Sequence, residues 1–406
     1  MDAERLPIDQ ARRIHLLDAI RGFALFGILL VNMQLFNSPK FFLVGTDIEL
    51  WSMWHNQLAE TFIHLFATGK FYTMFSLLFG IGFYIFMERV EEKGLPVAAM
   101  FQRRMVGLLI FGGIHLVFIW IGDILFTYAL AGFLLLLFRN KTPAQLRNWG
   151  FALYGGAAAV TALLMVAAEG ISLYFPEKSG VVEDLFREAV LVFSTGTYLD
   201  ILSFRISEEL PVVLANLFLY VPTVLGIFLL GFYAAKTGLV KNPAEHQARL
   251  KSLWSGSLII GIGFIGVEGL LSGQQVLVHP LFDAGLGELS TAVSGLSLSI
   301  FYMTSMYFII TFRSRAFAWL EPVGQMALTN YIMQSLICIT LFYGYGFGFY
   351  NQVGPLMGIV LTISIFCIQI GLSYHWMKWF YYGPLEWLWR YFTYRERPRF
   401  KRDSDD

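Results

Sequence analysis

The chain has 406 residues, 56% of them hydrophobic, 17% aromatic and only 14% charged. That balance excludes an ordinary soluble domain, whose core cannot absorb so much apolar surface. The 29 basic and 29 acidic residues cancel, so the net charge calls for no nucleic acid or acidic partner and only the placement of charge is informative.

The polar start MDAERLPIDQARR leads into an apolar run that holds Asp18 and Arg21 and has no small-residue cleavage site. It reads as a retained first helix rather than a signal peptide. A bilayer core about 30 Å thick needs roughly 20 apolar residues per helical crossing. Sliding that length along the chain predicts about ten spans, near 16–36, 57–88, 105–121, 122–139, 149–169, 210–235, 253–272, 289–312, 325–344 and 354–378. The second is overlong and carries Glu60, His64 and Lys70, the pattern of an interfacial helix leading into a span. Residues 170–209 contain VVEDLFREAVLVF and TYLDILSFRISEEL, with apolar residues at helical spacing among charges. They predict an extracytoplasmic amphipathic segment lying on the outer surface. Residues 379–406 form a basic cytoplasmic tail, and no linker or repeat divides the chain. The expected fold is therefore all-α, one polytopic bundle over 1–406 embedded in the lipid bilayer.

The distribution of Lys and Arg sets the orientation, because cytoplasmic connections carry the excess. Arg5, Arg12 and Arg13 precede the first span, and Arg89, Lys93, Arg103 and Arg104 follow the second. Arg139, Lys141 and Arg147, then Lys236, Lys241, Arg249 and Lys251, then Arg313 and Arg315 fill the later inner loops. Against these stand only Lys40, Lys178, Arg187 and Arg205 on the opposite side. Both termini are predicted to lie in the cytoplasm.

Ionisable residues at membrane depth are costly and carry the functional information. In LLDAIRGFALFGILLVNM (16–33), Asp18 and Arg21 lie three apart and can pair on one helix face, while Asn32 falls three turns above Arg21. They form either a structural pair or an anchor in which Arg21 binds an anionic cytoplasmic ligand. Lys70 and Ser76 sit in GKFYTMFSLLFGIGF (69–83). His115 lies eleven residues beyond Arg104, past mid-membrane, and Asp123 follows eight residues later at the outer hairpin. An imidazole oriented by a carboxylate is what a general base requires. A packing histidine bonded to a carbonyl is the plainer alternative, and His64 is the other histidine of this kind. Glu169 and Glu268 sit near outer helix ends, and Thr329, Asn330, Gln334 and Ser335 cluster in GQMALTNYIMQS. Asn330 and Gln334, four apart, suit an interhelical clamp or a polar lining. Gly269 and Gly273 form a small-xxx-small pair, which predicts close helix packing. Cys338 and Cys367 fall inside apolar runs without metal or disulfide spacing and read as buried bystanders. No Walker, dinucleotide, HExxH or CxxC motif occurs, so neither a permanently bound cofactor nor a metal is expected.

At these residues the sequence resembles the YeiB-like bacterial membrane proteins catalogued as DUF418. The resemblance is carried by LDAIRGFALFGILLVNM, GKFYTMFSLLFGIGF, the stretch from Arg103 to GDILFTYALAG, GTYLDILSFR (196–205), GQMALTNYIMQS and GPLEWLWRYFTY (383–394). That family is in turn similar, mainly in helix 1, to integral-membrane acyltransferases of the heparan-alpha-glucosaminide N-acetyltransferase-like kind. The resemblance implies a bacterial inner-membrane protein that moves an acyl group from cytosolic acyl-CoA to a hydroxyl or amine outside, such as an envelope glycan. Under it Asp18, Arg21, Lys70 and Ser76 would serve the coenzyme, His115 with Asp123, Asn32 and His64 the chemistry, and Arg205, Asn330 and Gln334 the acceptor. Many such O-acyltransferases place a histidine near the outer end of helix 1, whereas this chain has Asn32 there, so the base must be His115 or His64. A small-molecule permease with Asp18, Arg21, Lys70, His115 and Asp123 as its path is the alternative, and homo-oligomerisation is left open.

Overall fold

A computed structural model describes residues 15–43, 50–174, 179–272 and 279–402. Arg5, Arg12, Arg13, Lys178 and Gly273 lie outside the described residues. The helices, in chain order, are α1 (His15–Phe36), α2 (Trp54–Phe66), α3 (Lys70–Glu92), α4 (Val97–Ile114), α5 (Leu125–Leu135), α6 (Pro143–Tyr174), α7 (Ser179–Thr195) and α8 (Tyr198–Phe204). They continue as α9 (Leu210–Lys236), α10 (Gln247–Ser272), α11 (Pro280–Phe312), α12 (Glu321–Gln325), α13 (Ala327–Phe342), α14 (Pro355–Trp379) and α15 (Pro384–Tyr394). The protein is an all-α polytopic membrane bundle. Its least buried long helices are apolar: α6 and α10 bury only 17% of their most hydrophobic windows, which suits lipid and not water.

Eight of the described helices or helix runs are long and apolar enough to cross a bilayer. The other two predicted crossings are interrupted. The segment predicted at 325–344 begins as a broken pair, α12 and α13 meeting at 82°. The segment predicted at 122–139 shortens to an apolar helix over Leu125–Phe138, about 21 Å at the helical rise and less than the hydrocarbon thickness. Helical hydropathy counts residues, and neither bend changes that count. The overlong second segment divides as expected, with Gly69 at φ 81° between α2 and α3, a left-handed turn that glycine tolerates. The residues of α2 at every fourth position, Trp54, Leu58, Phe62 and Phe66, are exposed, the stripe of a helix lying against lipid.

Close approaches define the packing of the interior. A Cβ on Gly80 would come within 1.9 Å of the Phe228 carbonyl, and one on Gly231 within 2.1 Å of the Leu77 carbonyl, so α3 and α9 touch backbone to backbone. Likewise a Cβ on Gly324 would meet the Asp18 carbonyl at 1.9 Å, which seats α12 on α1. The predicted Gly269 contact is absent, since an added Cβ there meets nothing within 4 Å. Cys338 is buried as expected, but Cys367 is exposed on the outward face of α14.

The predicted surface segment forms two helices, α7 and α8, and begins later than 170 because α6 extends to Tyr174. Its Ala189, Phe193, Ile201 and Phe204 pack with Phe36, Trp120 and Phe342 into a second apolar cluster at the predicted outer end. The basic tail also folds back. Tyr381 N–H donates to the Phe400 carbonyl at 3.0 Å, and Trp389 Nε1 on α15 donates to the Arg104 carbonyl at 2.7 Å.

Candidate functional site

The site is built where α4 stops. After Ile114 the helix widens into a π-turn over His115–Ile119, closed by Trp120 N–H donating to the His115 carbonyl at 2.8 Å. Residues 120–124 then run irregularly into α5. Irregular backbone at membrane depth persists only where protein covers it. Trp120, 1% exposed, stacks on Phe36 with ring centroids 3.8 Å apart. The carbonyls that the π-turn frees receive donors from the outer segment, Val117 from Arg205 Nη1 at 3.1 Å and Phe118 from the Tyr198 hydroxyl at 3.0 Å. π-turns of this sort recur at functional sites.

The turn brings three polar side chains together. His115 Nδ1 lies 2.7 Å from Asp123 Oδ2, and His115 Nε2 lies 2.8 Å from the Ser335 hydroxyl on α13. Neither the His115 nor the Asp123 side chain is exposed. Asp123 Oδ1 accepts the Phe126 N–H at 2.6 Å, and Tyr331 donates to the Gly122 carbonyl at 3.2 Å, holding the irregular segment against α13. Eight residues of spacing would put His115 and Asp123 on nearly one helix face if α4 continued that far. They meet instead because the chain turns back. Ser335 carried no signal of this partnership, lying 220 residues away.

Below Ser335 a polar seam joins α13 to α14. Gln334 Nε2 donates to Gln369 Oε1 at 2.9 Å, Gln369 Nε2 to the Asn330 carbonyl at 2.9 Å, and Asn330 Nδ2 to Ser373 Oγ at 2.9 Å. The pair Asn330 and Gln334 therefore acts as a clamp. Asn330 Oδ1 is buried without a hydrogen-bond partner. Ser373 also lines a cavity of about 400 Å³ with Thr329, Met333, Leu372 and Trp376 on the predicted cytoplasmic side.

At that side Arg21 donates to Asp18 at 2.6 Å and keeps a side chain 29% exposed. Arg104 lies 3.8 Å from the Trp389 ring centroid, near enough to Arg21 and Arg390 for their positive charges to repel. Positive charge on this side, with Arg21 partly exposed and paired to one carboxylate, suits a phosphorylated ligand.

The remaining predicted residues lie elsewhere. Lys70, fully buried, pairs with Glu268 at 3.4 Å, and Ser294 also binds that carboxylate. His64, with a side chain 42% exposed, approaches Glu268 to 3.8 Å. This cluster does not include Arg21. Ser76 is bonded to the Tyr128 hydroxyl at 2.6 Å and the Tyr72 carbonyl at 2.8 Å. Asn32 is half-buried and makes no hydrogen bond to the His115 cluster among the described residues. Arg205 is 1% exposed, with Nε 3.7 Å from Glu209, so it secures the π-turn and presents no cation to the outside.

An integral membrane bundle with a buried histidine held between a carboxylate and a serine is the class that fold and site define. The family described as "Protein of unknown function (DUF418)" matches residues 234–396. Uncharacterized protein YxaH of Bacillus subtilis (strain 168) is 35% identical over 404 residues, covering 94% of each chain. Uncharacterized protein YeiB of Escherichia coli (strain K12) is 28% identical over 394 residues, covering 93% of this chain and 96% of its own. The uncharacterized 39.9 kDa protein in the amylase 3'region of Bacillus acidopullulyticus is 29% identical, covering 96% of each. No solved structure matches the chain. The chain belongs to the YeiB-like DUF418 family.

Proposed function

We propose that this is a membrane-bound acyltransferase of the bacterial inner membrane. It moves an acyl group from cytosolic acyl-CoA to a hydroxyl or amine acceptor on the far side, an envelope glycan being the expected kind. The observation that carries the reading is His115, fixed by Asp123 and offering Nε2 as a general base in a site with no exposed surface. Two further features support it. Arg21 is partly exposed on the predicted cytoplasmic side, where Arg104 feels both its charge and that of Arg390, which offers positive charge to the coenzyme's phosphates, and the apolar cluster around Trp120, Phe193 and Phe204 shields the histidine from the predicted outer end. The three relatives are bacterial, which supports the location.

Calorimetry on the protein in nanodiscs tests the donor side. Acetyl-CoA or a longer acyl-CoA should bind wild type and bind Arg21→Ala at least tenfold more weakly. His115→Ala should insert and fold normally and release no CoA. Absence of binding to every acyl-CoA tested would sink the reading. A second reading, a small-molecule permease, draws on the Lys70 and Glu268 pair with His64 half-exposed at its edge. Proton or solute flux into proteoliposomes that Glu268→Gln abolishes would favour it.

A further inference from the structure

Serine and threonine hydroxyls inside these helices mostly bond back to the carbonyl four residues earlier. Thr73, Ser76, Thr304, Thr340 and Thr362 do so at 2.6–2.8 Å, the ordinary habit of such residues in apolar helices. Ser335 departs from it. Its contact with the Tyr331 carbonyl stretches to 3.5 Å, while its oxygen sits 2.8 Å from His115 Nε2. The direction of that bond follows from the other side of the ring. A carboxylate only accepts, so the Nδ1 facing Asp123 carries the proton of the neutral imidazole and Nε2 is left as acceptor. With the ring neutral, Ser335 donates its proton to His115. A hydroxyl giving its proton to a carboxylate-oriented imidazole is an activated nucleophile.

Its place suits a relay. Ser335 is the ninth of the sixteen residues of α13, about 12 Å along the helix from its first residue. The seam of Gln334, Gln369, Asn330 and Ser373 leads from it to the cavity on the predicted cytoplasmic side. A carrier there can be loaded from one face and unloaded toward the other.

We propose that Ser335 is the covalent carrier of the acyl group, so that transfer proceeds by double displacement through an acyl-serine; this rests on the acyl-transfer reading above. In the first half, His115 Nε2 takes the hydroxyl proton as Ser335 Oγ attacks the thioester carbonyl. The Oγ–C bond forms, the C–S bond breaks, and the coenzyme leaves as the thiol with the proton from His115. In the second half, the acceptor hydroxyl or amine gives its proton to His115 and attacks the ester carbonyl. The new O–C or N–C bond forms, the Oγ–C bond breaks, and the proton returns to Ser335. Electrons and atoms balance with acyl-CoA and acceptor as the only reactants.

Two reagents test the carrier on the full chain in nanodiscs. Diisopropyl fluorophosphate, small and apolar, should phosphorylate Ser335 with loss of fluoride, read by peptide mass spectrometry. That adduct should vanish in Ser335→Ala and fall at least tenfold in His115→Gln. Radiolabelled acetyl-CoA without acceptor should leave one acetyl group on the Ser335 peptide. In Ser335→Cys the acyl group should instead become labile to neutral hydroxylamine, as a thioester is. Elution volume and thermal unfolding establish that each variant is folded. CoA release at the wild-type rate in Ser335→Ala would overturn the carrier while leaving acyl transfer by direct displacement intact. Reaction of Ser335 with the fluorophosphate, together with no CoA release from any acyl-CoA, would keep the nucleophile and remove the donor. Folded wild type modified at Ser335 by neither reagent would overturn the proposal.

Discussion

The bundle buries polar groups at membrane depth in two regions and satisfies them differently. Around Glu268 the solution is ionic: Lys70 and Glu268 lie on α3 and α10, 3.4 Å apart, and neither is exposed. Around His115 it is a chain of hydrogen bonds, Asp123 to His115 to Ser335, in which each member retains a partner if another is trimmed. A buried ion pair becomes costly the moment one charge is removed. A hydrogen-bonded relay loses less when the member removed is uncharged, as Ser335 is, because His115 and Asp123 keep each other. The first arrangement fixes helices in place, and the second leaves room for chemistry.

The sharpest way to break this comparison is Glu268→Ala. It strands the Lys70 ammonium, and the expected loss is about 3–5 kcal/mol, seen as a large fall in apparent Tm in detergent or a failure to accumulate in the membrane. The double variant Lys70→Met, Glu268→Met should recover most of it. An unchanged Tm in Glu268→Ala would show the pair to be solvated and the ionic reading mistaken.

Next comes the seam beneath Ser335. Asn330→Ala removes the donor to Ser373 and to the Val323 carbonyl, and leaving buried partners unsatisfied costs about 1–3 kcal/mol. Because Asn330 Oδ1 already lacks a partner, the cost belongs at the lower end of that range. A larger loss than in Glu268→Ala would reverse the ranking of the two regions.

The two regions also differed in how far they could be read in advance. His115 and Asp123 are only eight residues apart, close enough in the chain for their meeting to be suggested although the geometry that joins them is a turn and not a shared helix face. Lys70 and Glu268 are 198 residues apart, and each looked isolated, so Lys70 was assigned to the coenzyme with Arg21. Hydropathy placed the long helices because every turn of a lipid-facing helix adds to the signal. It placed the turn near 121 by length alone but missed the π-turn before it, whose freed carbonyls at Val117 and Phe118 take donors from Arg205 and Tyr198 in a distant segment, and it missed the bend at Met326. Of the inner arginines only Arg21 was singled out as a ligand anchor; Arg104 was counted with the inner loops and Arg390 with the basic tail, and Arg390 comes within reach of Arg104 because α15 folds back.

Ser335→Ala tests the other half of the comparison. Hydrogen bonds between membrane helices average about 0.6 kcal/mol, so apparent Tm should shift by no more than a few degrees while fluorophosphate labelling disappears. A loss as large as that of Glu268→Ala would mark Ser335 as structural cement and align the two regions after all.

The smallest expected effect lies at the cytoplasmic foot of α13, the helix that carries Ser335. Glu386 on α15 accepts the N–H groups of Leu328 and Thr329 at 2.6 and 3.0 Å and the Thr329 hydroxyl at 2.6 Å, capping α13 from outside the membrane. Burial nevertheless holds its carboxyl above the ordinary glutamate value, outweighing those hydrogen bonds. A carboxyl raised on folding contributes its full stabilisation below the unfolded value of about 4.3 and loses it as pH rises through the folded value. Glu386→Gln cannot titrate, so the Tm advantage of wild type over that variant should shrink as pH rises from about 4. Thermal unfolding of both proteins across that range reads the difference directly. An advantage that grows with pH would mean that the carboxylate is the form the cap prefers, and that α13 is anchored by charge at its foot much as α3 is anchored by Lys70 and Glu268.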